Sequence, residues 1–308
     1  MANRNEIIER ITRLTRHGQD IVRQEYLTSL HQYTNCDTVV YAVQFTPRMP
    51  GSPMNATSIT LDDISGFMTC LNGLRGEKLD LVLHSPGGEL NAADQLVQYL
   101  RSKYKYIRAI IPQNAMSAAT MIACACDEII LGKQSAIGPI DPQITIPRQN
   151  GVTMSLPAHS ILEDFKRAKI EISQDKSSAA VWLPKIMELP NGVLDLCQKT
   201  IDLAKSKVAD WLDNNMFNSD QCKKGQFIAE WLGDFTKHKT HGKPINYDLA
   251  KSIGLKVSLL ENDQQLQEKV LNVYHATLIT FDTTHCVKII ENHNGVGAYC
   301  MLHPQITS

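Results

Sequence analysis

The segment 79–143 alternates short apolar runs with helix-like stretches, and it constrains the fold more than any other part of the chain. The apolar runs are typical of strands that are buried on both faces of a parallel sheet. They lie at 78–84, 107–112 and 127–131. Because strands that alternate with helices imply right-handed crossovers, the segment predicts an α/β fold with a mostly parallel sheet.

The sequence on either side of this segment adds helices and short strands. The predicted elements there are a helix over 2–31, a strand over 37–45, a hairpin of 144–148 and 152–156 joined by 149–151, a helical region over 158–232, and a tail over 270–303 that mixes a helix with three short strands. The chain shows no internal repeat and no low-complexity linker. A single elaborated domain is therefore expected rather than two independent ones.

The composition argues against several classes of protein. The net charge is -1 and the basic residues are spread along the chain, whereas a nucleic-acid footprint requires a clustered basic surface. The 8 cysteines follow no disulfide pattern, which indicates a reducing compartment. No signal peptide and no apolar run of membrane-spanning length are visible. We therefore expect a cytoplasmic protein that neither binds nucleic acid nor spans a membrane.

Two adjacent glycines, Gly87 and Gly88, follow the strand at 78–84. Glycine lets the backbone turn with its amide groups exposed, which suits an oxyanion hole. A plain tight turn or a phosphate-binding loop would use the same pair. The full P-loop pattern is absent because no Gly-Lys-Ser/Thr follows, and a dinucleotide fingerprint requires three spaced glycines. A tight turn and an oxyanion hole remain as the two interpretations.

Ser117 follows the strand at 107–112 and opens a helix of small residues. A serine in this position is most often an N-cap. However, Ala115, Ala118 and Ala119 would let a substrate approach closely. The preceding strand would also place Ser117 at the carboxyl end of the sheet, where α/β active sites lie. Ser117 is therefore a candidate nucleophile, with the N-cap as the alternative.

In combination these motifs resemble the ClpP/SppA superfamily, and most closely the serine dehydrogenase proteinase family within it. The motifs are Ser-Pro-Gly-Gly at 85–88, Met-Ser-Ala-Ala at 116–119, Gly-Pro-Ile-Asp-Pro-Gln at 138–143, Thr-His-Gly-Lys-Pro-Ile at 240–245 and Lys-Ile-Ile-Glu-Asn at 288–292. The resemblance implies a ClpP/crotonase-like α/β fold. We accordingly expect an N-terminal helical segment 1–36, a catalytic domain 37–262 with a helical insertion 158–232, and a small β-rich C-terminal extension 263–308.

The resemblance also implies the site residues. The family's catalytic triad is Ser, Asp, His in chain order, which corresponds here to Ser117, Asp141 and His241. His241 would be the general base and Asp141 the acid that orients it. The implied oxyanion hole consists of the turn at Gly87 and Gly88 together with the amide of Ala118.

Other bases remain open from the residues alone. Lys166 and Lys169 follow Ser117 at about the distance at which SppA-type enzymes place a lysine base, although a solvated helix face would look the same. His159 is a further candidate, and its alternative is a histidine at a helix start. His238 and His241 are three residues apart, but no third ligand is apparent near them, so no metal site is predicted.

The predicted function is that of a serine peptidase that cleaves peptide bonds through an acyl-enzyme on Ser117. It requires no cofactor and takes a peptide or protein substrate. The resemblance implies a homo-oligomer, and a separate partner protein is possible. Two alternatives stay open: a crotonase-type acyl-CoA enzyme, which shares the oxyanion hole, and an inactive scaffold that binds peptides or a partner in the cleft.

Overall fold

The computed structural model describes residues 4–14, 17–46, 54–147, 153–220 and 223–302. The helices are α1 (Arg4–Arg13), α2 (Gly18–Thr34), α3 (Asp63–Cys70), α4 (Leu90–Lys103), α5 (Ala118–Cys124), α6 (Ala158–Gln174), α7 (Ala179–Met187), α8 (Val193–Trp211), α9 (Gly225–Leu232), α10 (Phe235–His238), α11 (Tyr247–Ser252) and α12 (Gln264–Thr283). The strands are β1 (Asp37–Val43), β2 (Lys78–His84), β3 (Tyr106–Ile111), β4 (Asn114–Ala115), β5 (Glu128–Leu131), β6 (Ala136–Ile137), β7 (Gln143–Pro147), β8 (Thr153–Pro157), β9 (Val257–Leu259), β10 (Cys286–Asn292) and β11 (Gly297–Met301). Among the described residues, no helix combines the length and the apolar character that a membrane span needs.

A seven-stranded sheet forms the centre of the molecule, in the order β11-β10-β1-β2-β3-β5-β9. Strands β1, β2, β3, β5 and β9 run parallel to one another. Strand β10 is antiparallel to β1, and β11 is antiparallel to β10. The predicted α/β fold with a mostly parallel sheet is confirmed, and the C-terminal strands extend one edge of it.

Both faces of the sheet are covered by helices, which explains the continuous apolar runs. Alternate side chains of one strand belong to different cores, because successive residues of a strand point to opposite faces. In β1, Val39 and Tyr41 join the core beneath α3, α4 and α5, whereas Val40 and Ala42 join the core beneath α2 and α12. The molecule is therefore a three-layer sandwich of helix, sheet and helix.

The hairpin of β7 and β8 packs against α6 and α8 in an apolar cluster of its own. Ile144 and Ile146 of the hairpin meet Ile161 of α6 and Ile201 of α8 there. Further along α8, Val208 belongs to the main core instead. We call β7, β8 and α6–α8 the helical lobe. Helix α8 connects this lobe to the central sandwich.

Three predicted elements differ from those observed. The helix predicted over 2–31 is two helices, because His17 adopts a left-handed conformation (φ 54°) between α1 and α2. The described part of the tail contains α12 and two strands instead of three, because α12 continues through Thr283. The hairpin pairs Gln143–Pro147 with Thr153–Pro157, and its predicted turn, 149–151, lies outside the described residues.

Candidate active site

Ser117 occupies the sharp turn between β4 and α5, at the carboxyl end of the sheet. Its backbone has φ 52° and ψ -120°, a conformation that a residue with a side chain rarely adopts. Its side chain makes no capping hydrogen bond to α5. The N-cap alternative therefore does not account for this serine. Strained backbone of this kind is found where a side chain must be presented to a substrate.

The turn at Gly87 and Gly88 packs directly against Ser117. Both glycines have positive φ, 106° and 157°. A Cβ atom on Gly87 would lie 2.7 Å from the Cβ of Ser117, and one on Gly88 would lie 2.3 Å from the backbone N and O of Ile59. Glycine is therefore required at both positions, by conformation and by close approach.

Backbone pairing leaves two amides available beside Ser117. Ile59 forms a parallel bridge with Gly88 through the bonds Ile59 N to Gly87 O (2.8 Å) and Glu89 N to Ile59 O (2.9 Å). Because this bridge uses the amides of Ile59 and Glu89, the Gly88 N–H lies on the other side of the strand. Ala118 is the first residue of α5, where the N–H has no partner within the helix.

Gly87 has a steric role in this turn. Its amide donates a hydrogen bond to Ser85 Oγ at 3.1 Å. The amides that can bind an oxyanion are therefore those of Gly88 and Ala118, and the small Gly87 lets the turn approach Ser117.

Asp141 and His241 form a hydrogen-bonded pair across 100 residues of sequence. The distance from His241 Nδ1 to Asp141 Oδ1 is 3.0 Å. Asp141 is buried, whereas the His241 side chain is 27% exposed. A carboxylate that accepts Nδ1–H holds the imidazole in the tautomer that leaves Nε2 free to accept a proton.

Backbone hydrogen bonds hold the loop that carries Asp141 in place. Ile137 and Ile245 exchange hydrogen bonds of 3.1 and 2.8 Å, which fixes the loop of Asp141 beside the loop of His241. Ile140 N also donates to Leu232 O at 3.1 Å.

Ser117 and His241 line the same cavity, which has a volume of about 920 Å³. Asp141 does not line it, so His241 stands between the carboxylate and the open space. The other lining residues include Gly87, Gly88, Ala118, Met121, Ile140, Thr145, Ser155, Leu196 and Leu203. In the described part of the chain, no hydrogen bond joins the Ser117 hydroxyl to His241. Such bonds are often long in a free enzyme and shorten when substrate binds.

The structure does not bring the alternative bases to this cavity. Lys166 is exposed on α6 and pairs with Glu163 at 2.8 Å, and Lys169 is exposed on the same helix. His159 lines a separate cavity, where its ring stacks on Phe235 with 6.1 Å between centroids. Burial lowers the pKa of His159 below its ordinary value.

The two nearby histidines, His238 and His241, are bonded to different partners. The Nε2 atom of His238 bonds to the Trp231 carbonyl at 2.7 Å, whereas His241 bonds to Asp141. Within the described residues, the two do not belong to a group of three side chains whose donor atoms converge.

Sequence reasoning missed Thr120, which joins the two halves of the site. Its hydroxyl donates to Ala115 O at 2.7 Å and accepts from Gly138 N at 2.9 Å. The first contact holds the strand that leads to Ser117, and the second holds the loop that leads to Asp141. No sequence pattern indicates this role, because a threonine in a helix of small residues is usually a simple core residue.

Two proteins with sequences similar to that of this chain are uncharacterized. Both are proteins of Methanocaldococcus jannaschii: one is 28% identical over 202 residues (65% of this chain and 60% of that protein), the other 31% identical over 180 residues (58% and 52%). The chain thus spans a little over half the length of the curated relatives that it matches.

Among solved structures, the chain is similar to two mutants of the 1510-N membrane-bound stomatin-specific protease. One is 17% identical with a TM-score of 0.37, and covers 69% of this chain and 79% of that one. The other, in complex with a substrate peptide, is 18% identical with a TM-score of 0.40, and covers 69% and 75%. The family of ClpP-like SDH-type serine proteinases matches residues 57–292, which is most of the chain and includes every candidate site residue. The chain belongs to this family of ClpP-like serine proteinases.

Proposed function

We propose that the protein is a serine peptidase that cleaves peptide bonds through an acyl-enzyme on Ser117. The observation that carries this proposal is the Asp141–His241 pair at 3.0 Å, whose imidazole lines the same cavity as Ser117. Family membership supports serine-peptidase chemistry in this fold. In this proposal the residues that perform it are Ser117, Asp141 and His241.

In the acylation step, Ser117 Oγ attacks the carbonyl carbon of the scissile peptide. Its proton passes to Nε2 of His241, and the resulting imidazolium is stabilised by the buried Asp141 carboxylate. The negative charge that develops on the carbonyl oxygen is bound by the N–H groups of Gly88 and Ala118. When the C–N bond breaks, His241 returns the proton to the departing amine.

Deacylation repeats these roles with water as the nucleophile. His241 takes a proton from the water molecule, and the hydroxide oxygen bonds to the acyl carbon. The ester bond then breaks, and the Ser117 oxygen recovers its proton from His241. All of these groups belong to the protein itself, so the cycle needs only substrate and water.

A fluorophosphonate probe tests the nucleophile directly, because it forms a covalent bond with an activated serine. We expect intact mass spectrometry to show one adduct per chain, located on Ser117 by peptide mapping. Ser117→Ala should abolish labelling. Ser252→Ala, which alters an exposed serine elsewhere on the surface, should leave it unchanged.

The outcomes separate this proposal from its rivals. A folded chain that is not labelled, but binds acyl-CoA thioesters, would indicate a crotonase-type enzyme that uses the oxyanion hole alone. A folded chain that is not labelled and binds peptides without cleaving them would be a scaffold. Labelling that persists in Ser117→Ala would place the nucleophile elsewhere and overturn the proposal.

A further inference from the structure

Three side chains with metal-binding chemistry meet near the start of β1. This is the end of the parallel strands opposite the candidate active site. His31 lies in the last turn of α2, Asp37 is the first residue of β1, and His293 follows the last residue of β10. Ser117 lies beyond the carboxyl ends of the parallel strands, whereas Asp37 begins one of them. The two sites are therefore separate.

The donor atoms of these three residues are close together. One ligand atom from each residue lies within 4.8 Å of the other two. The imidazole rings of His31 and His293 are stacked, with 3.7 Å between centroids and 8° between planes. Asp37 and His293 are buried, and His31 is half-buried, so the group is enclosed on most sides and open on the side of His31.

Each side chain is already held in place by a second contact, as metal ligands commonly are. His31 Nδ1 bonds to the Cys36 carbonyl at 2.7 Å, which makes Nδ1 the protonated nitrogen and leaves Nε2 with a lone pair. Asp37 Oδ2 accepts from the Gly76 amide at 2.9 Å and from the Tyr104 hydroxyl at 3.2 Å. These contacts leave Asp37 Oδ1 as the open ligand atom.

His293 can supply its second nitrogen after a change of tautomer. The Thr38 amide donates to His293 Nδ1 at 3.2 Å, so Nε2 carries the ring proton. Binding of an ion at Nε2 would shift that proton to Nδ1, which would then donate to the Thr38 carbonyl 3.4 Å away. Both histidines would then present Nε2, with a backbone carbonyl behind each ring.

The charge of the cluster also favours a cation. Asp37 is 7% exposed, and no Lys or Arg within the described residues forms an ion pair with it. A buried carboxylate is costly unless it is compensated by charge or by several hydrogen bonds. Two neutral imidazoles and one carboxylate are a ligand set that suits zinc.

We propose that His31, Asp37 and His293 bind a divalent transition-metal ion of the zinc class, with water in the fourth position. Zinc–nitrogen bonds of about 2.0–2.1 Å in a tetrahedral site place the donor atoms about 3.3 Å apart. The stacked rings must therefore turn until their Nε2 atoms converge on one point with the Asp37 carboxylate. The ion would fasten α2 and β10 to the start of β1.

The test uses the full chain after treatment with a chelator. Zn²⁺ is titrated by calorimetry, and Co²⁺ is added as a spectroscopic substitute whose visible absorption reports tetrahedral coordination. We expect one equivalent of Zn²⁺ per chain and a rise in Tm, because an ion that binds only the folded state stabilises it. His31→Ala and His293→Ala should each weaken binding by about 100-fold or more, and His17→Ala, a change of an exposed histidine, should not.

Metal stoichiometry is the deciding readout, because loss of the ring stack could lower the Tm by itself. If an alanine variant does not fold, His31→Gln or His293→Gln replaces it. The proposal is overturned if the folded chain binds no stoichiometric Zn²⁺, or if binding is unaffected by changes to both histidines. Fluorophosphonate labelling of Ser117 should be the same with and without the ion, so that failure here does not affect the proposed peptidase.

Discussion

At the scale of single residues, the geometry of the candidate site depends on unusual backbone conformations. Ser117 carries a side chain at a φ of 52°, where glycine would be the ordinary choice. Gly87 and Gly88 are glycines because the atoms of Ser117 and Ile59 leave no room for a Cβ. The nucleophile and the oxyanion turn thus depend on each other's exact positions.

A glycine substitution in this turn should displace the oxyanion amide and lower the reactivity of Ser117. Gly88→Ala places a Cβ 2.3 Å from the Ile59 backbone, so the Gly88 amide must move away from the oxyanion position. We expect the rate constant for fluorophosphonate labelling to fall by about 100-fold or more. The matched control is Gly73→Ala, which has a φ of 81° and no atom within 4 Å, and therefore tests conformational strain alone. If both changes lower the labelling rate constant equally, the Gly88 amide is not an oxyanion donor.

The Thr120 hydroxyl should be needed to position the site. Thr120→Val keeps the shape of the side chain but leaves the Ala115 carbonyl and the Gly138 amide without their partner, a cost of about 1–3 kcal/mol. We expect slower labelling of Ser117 at saturating probe, with Thr120→Ser restoring most of the rate. If Thr120→Val lowers only the Tm, the hydroxyl is structural and does not position the nucleophile.

At the scale of helices and strands, the sequence predicted what depends on local pattern. The strands at 78–84, 107–112 and 127–131 are observed as β2, β3 and β5, because burial on both faces requires a continuous apolar run. The break at His17 was missed, since a left-handed residue other than glycine leaves no clear signal. The sequence also does not predict that β10 pairs with β1, because the register between distant segments is set by packing.

The same limit applies to the candidate site. Ser117 and the glycine turn lie in one continuous motif, so local sequence and the family resemblance were enough to indicate them. The contact between Asp141 and His241 depends on two loops that meet through Ile137 and Ile245. Thr120 had no signal at all, because its two hydrogen bonds exist only in the folded chain.

The end of β2 should make stability depend on pH. His84 is buried there between Phe45 and Tyr274, and burial lowers its pKa to about 4. The unfolded chain takes up this proton near pH 6.5, whereas the folded chain excludes it until about pH 4. The free energy of unfolding should therefore fall as the pH drops through this interval, by roughly 3 kcal/mol from this group.

Urea unfolding at several pH values between 7 and 4 measures this dependence. His84→Asn retains a side-chain acceptor and removes the titrating group, so its slope should be shallower by up to one proton. The control His285→Asn changes an exposed histidine and should keep the slope of the unaltered chain. A slope that is identical in His84→Asn would show that His84 is not the group responsible.

At the scale of the whole molecule, the fold collects the candidate site from distant parts of the chain. Ser117 comes from the central parallel sheet, and the Asp141–His241 pair comes from loops on either side of the helical lobe. One wall of the cavity is formed by α8 and by the polar face of the β7–β8 hairpin. Residues of α8 and of the hairpin therefore line the cavity directly.

The central claim is that His241, oriented by Asp141, activates Ser117. It is tested most directly by the second-order rate constant for fluorophosphonate labelling of Ser117 in a series of single variants. His241→Ala should lower this constant by about 10²–10⁴-fold, because the general base is lost. Lys166→Ala, Lys169→Ala and His159→Ala should leave it near that of the unaltered chain. An unchanged rate in His241→Ala, or a large loss in one of the other three, would contradict the account.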